Sequence, residues 1–557
     1  MAAETTDNDV DNLRDRAQRW LDDDPDPVTR DELRELIDRL PGSAAELTDR
    51  FAGPLTFGTA GLRGPLRAGP NGMNLAVVTQ AAAGLVAWLA GRDATGPLVI
   101  GYDARHGSKA FAERTAEVAT GAGRAALLLP GPLPTPVLAY AVRKLGAAAG
   151  VMVTASHNPP QDNGYKVYLG AELGGPAGAG AQIVPPVDAE IEAAIRAVGK
   201  LAGVPLGAPG EVLGDDLAAS YVASAAAVVA PDGPRSLKVA YTPLHGVGAA
   251  VLTAAFVRAG FGVPGVVARQ ADPDPAFPTV SFPNPEEPGA VDLLVALADS
   301  IGADLAVAND PDADRCAVVV RDAVRGWRML HGDEVGALLA DHLMRRGVQG
   351  RYATTIVSSS LLRSMCAARG MDYAETLTGF KWIVRAGGDD GGLVYGYEEA
   401  LGYCVAPDHV RDKDGITAAL TVAELAAGLK AQGRTLTDRL DELAAEFGVH
   451  LTDQYAVRVT DLREIAAAMA RVRADTPATL LGVAVTGVQD LLPEADVLIL
   501  RTDTARVVIR PSGTEPKLKA YLEVVEPVPD GDVAAARARA ADAVAALRTE
   551  VAAALGM

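Results

Sequence analysis

At 557 residues the chain is longer than one hydrophobic core usually organises, and 49% hydrophobic against 22% charged residues excludes a disordered polymer, so three or four domains are expected. With 51 Lys and Arg against 71 Asp and Glu the net charge is −20, which excludes affinity gained by covering nucleic-acid phosphates and obliges an anionic substrate to find a local basic patch. Cys316, Cys366 and Cys404 are widely spaced, the start MAAETTDNDVDN lacks a signal-peptide pattern, and no apolar run could cross a bilayer, so a cytoplasmic protein without disulfides, zinc, membrane or nucleic-acid partners is predicted.

Residues 11–40 carry Leu13, Trp20, Leu33, Leu36, Ile37 and Leu40 among charges, short amphipathic helices broken at Asp24-Pro25-Asp26-Pro27. FGTAGLRG then presents Arg63 in a glycine-punctuated loop. From LVIGYDARHGSKAF the pattern strand, polar turn, Ala-rich helix, strand appears three times, the βαβ signature. The first instance ends in AGVMV followed by TASHNPP, which holds Ser156, with Lys166 ten residues on in DNGYKVY. There is no GxSxG elbow around Ser156. Side chains of neighbours in an extended segment diverge, so His157 is expected to brace the loop rather than act as the base of Ser156. GGPAGAGAQIVPP, residues 174–186, is expected as a loop, and the stretch from Pro205 to Gly210 as a linker.

The second instance begins at LKVAYTPLHGVGAA, where HGVG resembles a dinucleotide fingerprint but has Val251 at the third glycine position, which argues against nicotinamide. It ends at ADLAVAN followed by DPDADR. In an extended segment Asp310, Asp312 and Asp314 would project to one side, and three such carboxylates suit Mg2+. A calcium loop fails, because Arg315 and Arg321 stand where it needs Gly and Glu. The third instance, YATTIVSSSLLRSMCAARG, leads to GLVYGYEEALGY. There Glu398 and Glu399 could accept hydrogen bonds from sugar hydroxyls, with only one of the adjacent pair on the ligand's side. After a second linker near 450–457 the pattern changes to antiparallel strands. The loop of VVIRPSGTEPK gathers Arg510, Ser512, Gly513, Thr514 and Lys517, a set suited to gripping phosphate without being a Walker loop. Each polar cluster follows an apolar strand, at the strand ends where α/β sheets bind ligands. Together they point to phosphoryl transfer on a sugar.

TASHNPP, DPDADR, GYEEALGY and RPSGTEPK, in this order, resemble the four signature loops of the α-D-phosphohexomutases from about residue 51 onward. YEEALGY with FGTAGLRG resembles the branch that includes phosphopentomutases and glucose-1,6-bisphosphate synthases. The resemblance implies an α/β enzyme of three related domains with mixed sheets and a smaller C-terminal α+β domain, heart-shaped around a central cleft. Its parts would be a helical extension (1–50), a phosphoserine domain (51–207), a metal domain (208–325), a sugar domain (326–455) and a phosphate domain (456–557). It implies Ser156 as phosphoserine and, with Asp310, Asp312 and Asp314, as Mg2+ ligand, and Arg315 beside them. Arg63 and Lys166 would stand at the transferring phosphoryl, and a lowered lysine pKa would let Lys166 carry a proton. Substrate contacts would come from Thr378, Lys381, Glu398, Lys413, Arg510, Ser512, Gly513, Thr514 and Lys517.

The implied activity exchanges sugar 1-phosphate and 6-phosphate, glucose phosphate first, through a sugar 1,6-bisphosphate that is also the activator, in a monomer or homodimer acting on a small phosphosugar. Phosphomannomutase, phosphopentomutase and a non-catalytic phosphosugar-binding protein are the alternatives. One departure is Ala400, where many members have Ser after the acidic pair.

Overall fold

The computed structural model describes residues 7–57, 61–322, 326–388, 392–512 and 517–556. They form two compact units: Met1–Val319 with Gly387–Gly391 and Cys404–Thr421, and Val320–Ala386 with Gly392–Tyr403 and Val422–Met557.

In the first unit the helices Asp7–Asp23, Pro27–Asp38 and Ala44–Arg50 share a small core of Leu13, Leu33, Leu36, Leu47 and Phe51. Asp26, between Pro25 and Pro27, caps the second helix by accepting from Val28 N. The break at the Asp-Pro repeat is therefore a helix boundary, as its composition predicts.

Six strands follow: β1 (Leu62–Pro65), β2 (Leu98–Tyr102), β3 (Ala126–Leu128), β4 (Ala149–Val153), β5 (Asp162–Leu169) and β6 (Glu211–Val212), in the sheet order β1-β5-β4-β2-β3-β6. β4, β2, β3 and β6 run parallel, while β5 returns antiparallel to β4 and β1 antiparallel to β5. Every residue of β4 is buried, the continuous apolar run expected of a strand covered on both faces. Val151, Val153, Ile100 and Leu98 share the core beneath it, each contributing about 1.5–3 kcal/mol by burial. The loop that turns β4 into β5 carries Ser156.

A second sheet repeats the device. β7 (Val239–Thr242) pairs parallel with β8 (Gly265–Val266) and β9 (Leu305–Ala308), and β10 (Ala317–Asp322) returns antiparallel to β9. The loop between β9 and β10 carries the three aspartates.

In the second unit Arg351–Thr355 is flanked by the parallel strands Asp372–Thr376 and Leu393–Glu398, the last leading to the Glu398-Glu399 pair. The C-terminal sheet is antiparallel, with Ala505–Pro511 and Lys517–Glu526 forming a hairpin against which Val449–Arg458 pairs through all ten residues.

Two expectations fail. Residues 450–457 are not a linker but lie inside the strand Val449–Arg458. Leu451, Tyr455 and Val457 alternate onto the C-terminal core, a period of two hidden by the polar residues between them. Residues 174–178 belong to the helix Ala171–Gly178, which accommodates Gly175 and Pro176 by a kink with Gly175 at φ 63°. The Pro205–Gly210 stretch has neither helix nor strand, as expected.

Candidate active site

Ser156 is nearly fully buried and sits at φ 52°, a left-handed backbone that costs a non-glycine residue about 1–3 kcal/mol. Its neighbours over-determine that turn. Thr154 Oγ1 accepts from Ser156 N (2.9 Å) and donates to Asp103 Oδ2 (2.7 Å). The buried Arg105 guanidinium donates to the carbonyl oxygens of Ser156 (2.5 Å), Asn158 (2.6 Å), Pro159 (2.8 Å) and Asp162 (3.2 Å), so one side chain gathers the whole loop. Asp103 also lies 3.3 Å from Arg105 Nε and accepts from Ser108 Oγ. Sequence reasoning missed this brace. Its signal was the polar run DARH directly after an apolar strand.

The aspartate loop is a turn, not the extended segment expected from the alternation. Ala313 takes φ 54°, and carboxylate oxygens of Asp310, Asp312 and Asp314 still converge within 4.8 Å of one another. The loop is held from outside. Thr135 Oγ1 donates to Asp312 Oδ2 (2.6 Å), Asn309 Nδ2 to Arg315 O (2.6 Å), and Val247 N to Pro311 O (2.8 Å). A Cβ on Gly246 would lie 2.3 Å from Pro311 Cα, so the HGVG run serves close packing of this loop rather than a dinucleotide.

The two loops meet. Ser156 Oγ donates to Asp310 Oδ2 at 2.8 Å, and Lys166 Nζ donates to Asp312 Oδ2 (2.8 Å) and Asp314 Oδ2 (3.0 Å). Lys413 Nζ stands 3.2 Å from Asp314 Oδ2, and Arg315 Nε 3.8 Å from Asp310 Oδ2. Arg63, on β1, donates to Asn158 Oδ1 at 3.2 Å. His157 Nδ1 lies 3.3 Å from Ser156 Oγ, closer than divergent neighbours allow, because the left-handed turn at Ser156 folds the two side chains to one side.

The electrostatics follow from dense charge in little water. Burial, with Asp312 and Asp314 adding to it, pushes the Asp310 carboxyl well above its ordinary range. Burial would raise Asp312 too, but Lys166 outweighs it and holds that carboxyl down. Burial, then Arg315 and Arg63, pushes His157 well below the ordinary imidazole range, which keeps it neutral. Lys166 reverses the expected direction: burial alone would lower its pKa, but Asp312 and Asp314 outweigh burial and raise it, so the ammonium stays charged. Oδ1 of Asp312 and Oδ1 of Asp314 are buried without a hydrogen-bond partner. Two orphaned carboxylate oxygens beside a third carboxylate form a hard-oxygen donor set that fits Mg2+.

In the second unit Glu399 turns inward, its Oε2 accepting from Ser358 Oγ (2.9 Å) and Thr355 Oγ1 (3.3 Å). Glu398 ends the strand Leu393–Glu398 and is half-buried. Burial and the nearby Glu399 raise the Tyr521 phenol, which hydrogen-bonds Arg510 and also lies near Glu398, so this tyrosine links the Glu398-Glu399 pair to Arg510. Arg510 is the penultimate residue of the strand Ala505–Pro511, and Ser512 N donates to Lys517 O (2.8 Å) to close the hairpin. Thr378 and Lys381 are half-buried, before and within the short helix Phe380–Ile383. Gly513 and Thr514 lie outside the described residues.

Four family domains match in order: the phosphoglucomutase/phosphomannomutase alpha/beta/alpha domain I over residues 54–201, domain II over 219–326, domain III over 331–447 and the C-terminal domain over 455–546. The chain belongs to the phosphoglucomutase/phosphomannomutase family. It is thus a phosphoryl-moving isomerase of the phosphohexomutase type, acting on sugar phosphate, in a Mg2+-dependent family with a four-domain α/β architecture of mixed sheets.

A Haemophilus influenzae protein named probable phosphomannomutase is 46% identical, covering 81% of this chain and 93% of its own length. A Schizosaccharomyces pombe protein named probable phosphoribomutase is 35% identical, covering 92% and 93%. Among solved structures, a Thermus thermophilus protein described as a candidate phosphomannomutase is 28% identical with a TM-score of 0.69, covering 88% of this chain and 98% of its own. Among the described residues no helix is long and apolar enough to cross a membrane.

Proposed function

We propose that this phosphohexomutase-family enzyme interconverts α-D-glucose 1-phosphate and glucose 6-phosphate, with Ser156 carrying the phosphoryl group. The observation that carries the reading is the hydrogen bond from Ser156 Oγ to Asp310, within a cluster of three buried carboxylates and Lys166. In the first transfer a bond forms between the sugar's free hydroxyl oxygen and phosphorus, and the bond from phosphorus to Ser156 Oγ breaks. The hydroxyl's proton ends on Oγ, where the restored serine donates to Asp310 as it does here. The product is a sugar 1,6-bisphosphate, which turns and returns its other phosphate to Ser156 by the reverse step.

Lys166, kept protonated by Asp312 and Asp314, supplies fixed positive charge beside the reacting oxygens, and Arg63, Arg315 and Lys413 add charge around them. Asp310, Asp312 and Asp314, with Ser156 through its phosphate, would hold Mg2+, which when bound neutralises charge on the transferring group. In the second unit Glu398 would accept from sugar hydroxyls. Thr378 and Lys381 would contact the ligand, and Arg510, Ser512, Gly513, Thr514 and Lys517 would hold the phosphate that is not reacting.

Two other sugars have specific support. The 46% identical relative named probable phosphomannomutase favours mannose phosphate, and the phosphoribomutase relative favours pentose phosphate. Ala400 removes one hydroxyl from the sugar loop, which fits a relaxed choice among them. Phosphorus NMR with glucose, mannose and ribose 1-phosphates in parallel, each with Mg2+ and a trace of glucose 1,6-bisphosphate, tests this. Glucose 6-phosphate should form fastest. A higher kcat/KM for either rival replaces glucose, and release of inorganic phosphate without isomerisation refutes the mutase reading.

A further inference from the structure

A cavity of about 330 Å3 lies between the helix Asp7–Asp23, the residues around Phe51 and Pro70, the helix Leu75–Ala90 and the short turn Leu201–Gly203. No residue of the Ser156 and aspartate cluster lines it. Its apolar wall is Trp20, Phe51, Pro70 and Leu201, with the Trp20 and Phe51 rings edge to face at 6.4 Å. Arg16 and Arg19 add two guanidiniums one helical turn apart, and the Arg16 guanidinium lies 5.8 Å from the Phe51 ring centre.

Two carboxylates and the Gln80 amide also line this cavity, and the carboxylates are engaged by the chain's own donors. Asp23 Oδ2 accepts from Leu201 N (2.9 Å). Asp24 accepts from Asp26 N (2.9 Å) and from Thr29 Oγ1 (2.7 Å). Arg16 donates one N–H to Phe51 O, which leaves the rest of its fork open to an acceptor. The Trp20 indole N–H is buried with no hydrogen-bond partner, a state that costs about 1–3 kcal/mol until an acceptor arrives. The volume is that of a small-molecule site, with an apolar wall and donors among its lining residues.

We propose that this cavity is a second binding site, separate from the reaction centre, for a small organic anion that combines a flat apolar body with a carboxylate or a phosphate. The ring or planar part packs on Trp20, Phe51 and Leu201, and the anionic group takes the guanidiniums of Arg16 and Arg19 together with the Trp20 N–H.

Calorimetric titration of the full chain with phenyl phosphate and with benzoate tests the site and separates the two anion sources, with benzyl alcohol as the uncharged comparator. At least one anion should bind saturably at one site, and more tightly than benzyl alcohol. Arg19→Ala should weaken it about tenfold, the loss of one charge-assisted hydrogen bond. Trp20→Phe, which keeps a ring and removes the N–H, should weaken it less. Saturating glucose 1-phosphate should not displace it. Thermal unfolding of each variant establishes that it is folded. Absence of saturable heat, equal affinity in wild type and Arg19→Ala, equal affinity for benzyl alcohol, or displacement by glucose 1-phosphate would overturn the proposal.

Discussion

Arg105 does for the Ser156 loop what no residue inside that loop can do, by binding four of its carbonyl oxygens at once. A lysine keeps the charge but has a point ammonium in place of the planar fork. Arg105→Lys should therefore lower stability by about 2–4 kcal/mol and kcat by at least about tenfold, since small misplacements of a reacting group are costly. Thermal unfolding and initial rates check both, and an unchanged kcat would show that the brace is dispensable. Ser156, Lys166 and the aspartates were legible in the sequence because their chemistry is written in short motifs. Arg105 was not, because its partners lie more than fifty positions away and meet it only through the sheet. The closeness of His157 to Ser156 was not foreseen for a local reason: it depends on a left-handed turn that residue identity alone does not announce.

Two hairpin loops, between β4 and β5 and between β9 and β10, bring the serine to the aspartates, and the strand-end rule made both visible in the sequence. The strand Val449–Arg458 was harder to see, since its inward Leu451, Tyr455 and Val457 are separated by polar and charged residues. The packing of the aspartate loop against HGVG predicts that Gly246→Ala pushes Pro311 away. It should cost about 1–3 kcal/mol and weaken Mg2+ binding, seen by calorimetry; unchanged metal affinity would contradict the packing role.

In the second unit the strand Lys517–Glu526 is tied to the Ser359-Ser360 turn through Glu523, which accepts from Ser359 Oγ (2.8 Å) and Ser360 N (2.7 Å). Burial would raise its pKa, but Arg506, 3.0 Å away, and His450 outweigh that and lower it from 4.5 to about 2. A depressed carboxyl stabilises fully above its unfolded value and loses that stabilisation as pH falls through the folded one. The contribution is therefore about 3 kcal/mol above pH 4.5 and fades toward pH 2. Urea unfolding should show wild type more stable than Glu523→Gln at pH 6, with the gap narrowing at pH 3. A gap that does not narrow contradicts the ion-pair account.

Across the whole molecule, the first unit holds the serine, the aspartates, Lys166 and Lys413, and the second holds Glu398, Glu399 and Arg510. The order of the motifs along the chain made the family legible. Which sugar it prefers was not, because no motif in the chain spells out one sugar and Ala400 carries little chemistry of its own. The most direct test is a phosphoryl chase on the intact enzyme. Wild-type protein treated with glucose 1,6-bisphosphate and Mg2+ should carry one phosphate on Ser156 by peptide mass spectrometry, and glucose 1-phosphate should then remove it as glucose 1,6-bisphosphate. Folded Ser156→Ala should do neither and should lose at least about a thousandfold in mutase rate. Phosphate found on another residue, phosphate lost only to water, or near-normal turnover by Ser156→Ala would contradict Ser156 as the phosphoryl carrier.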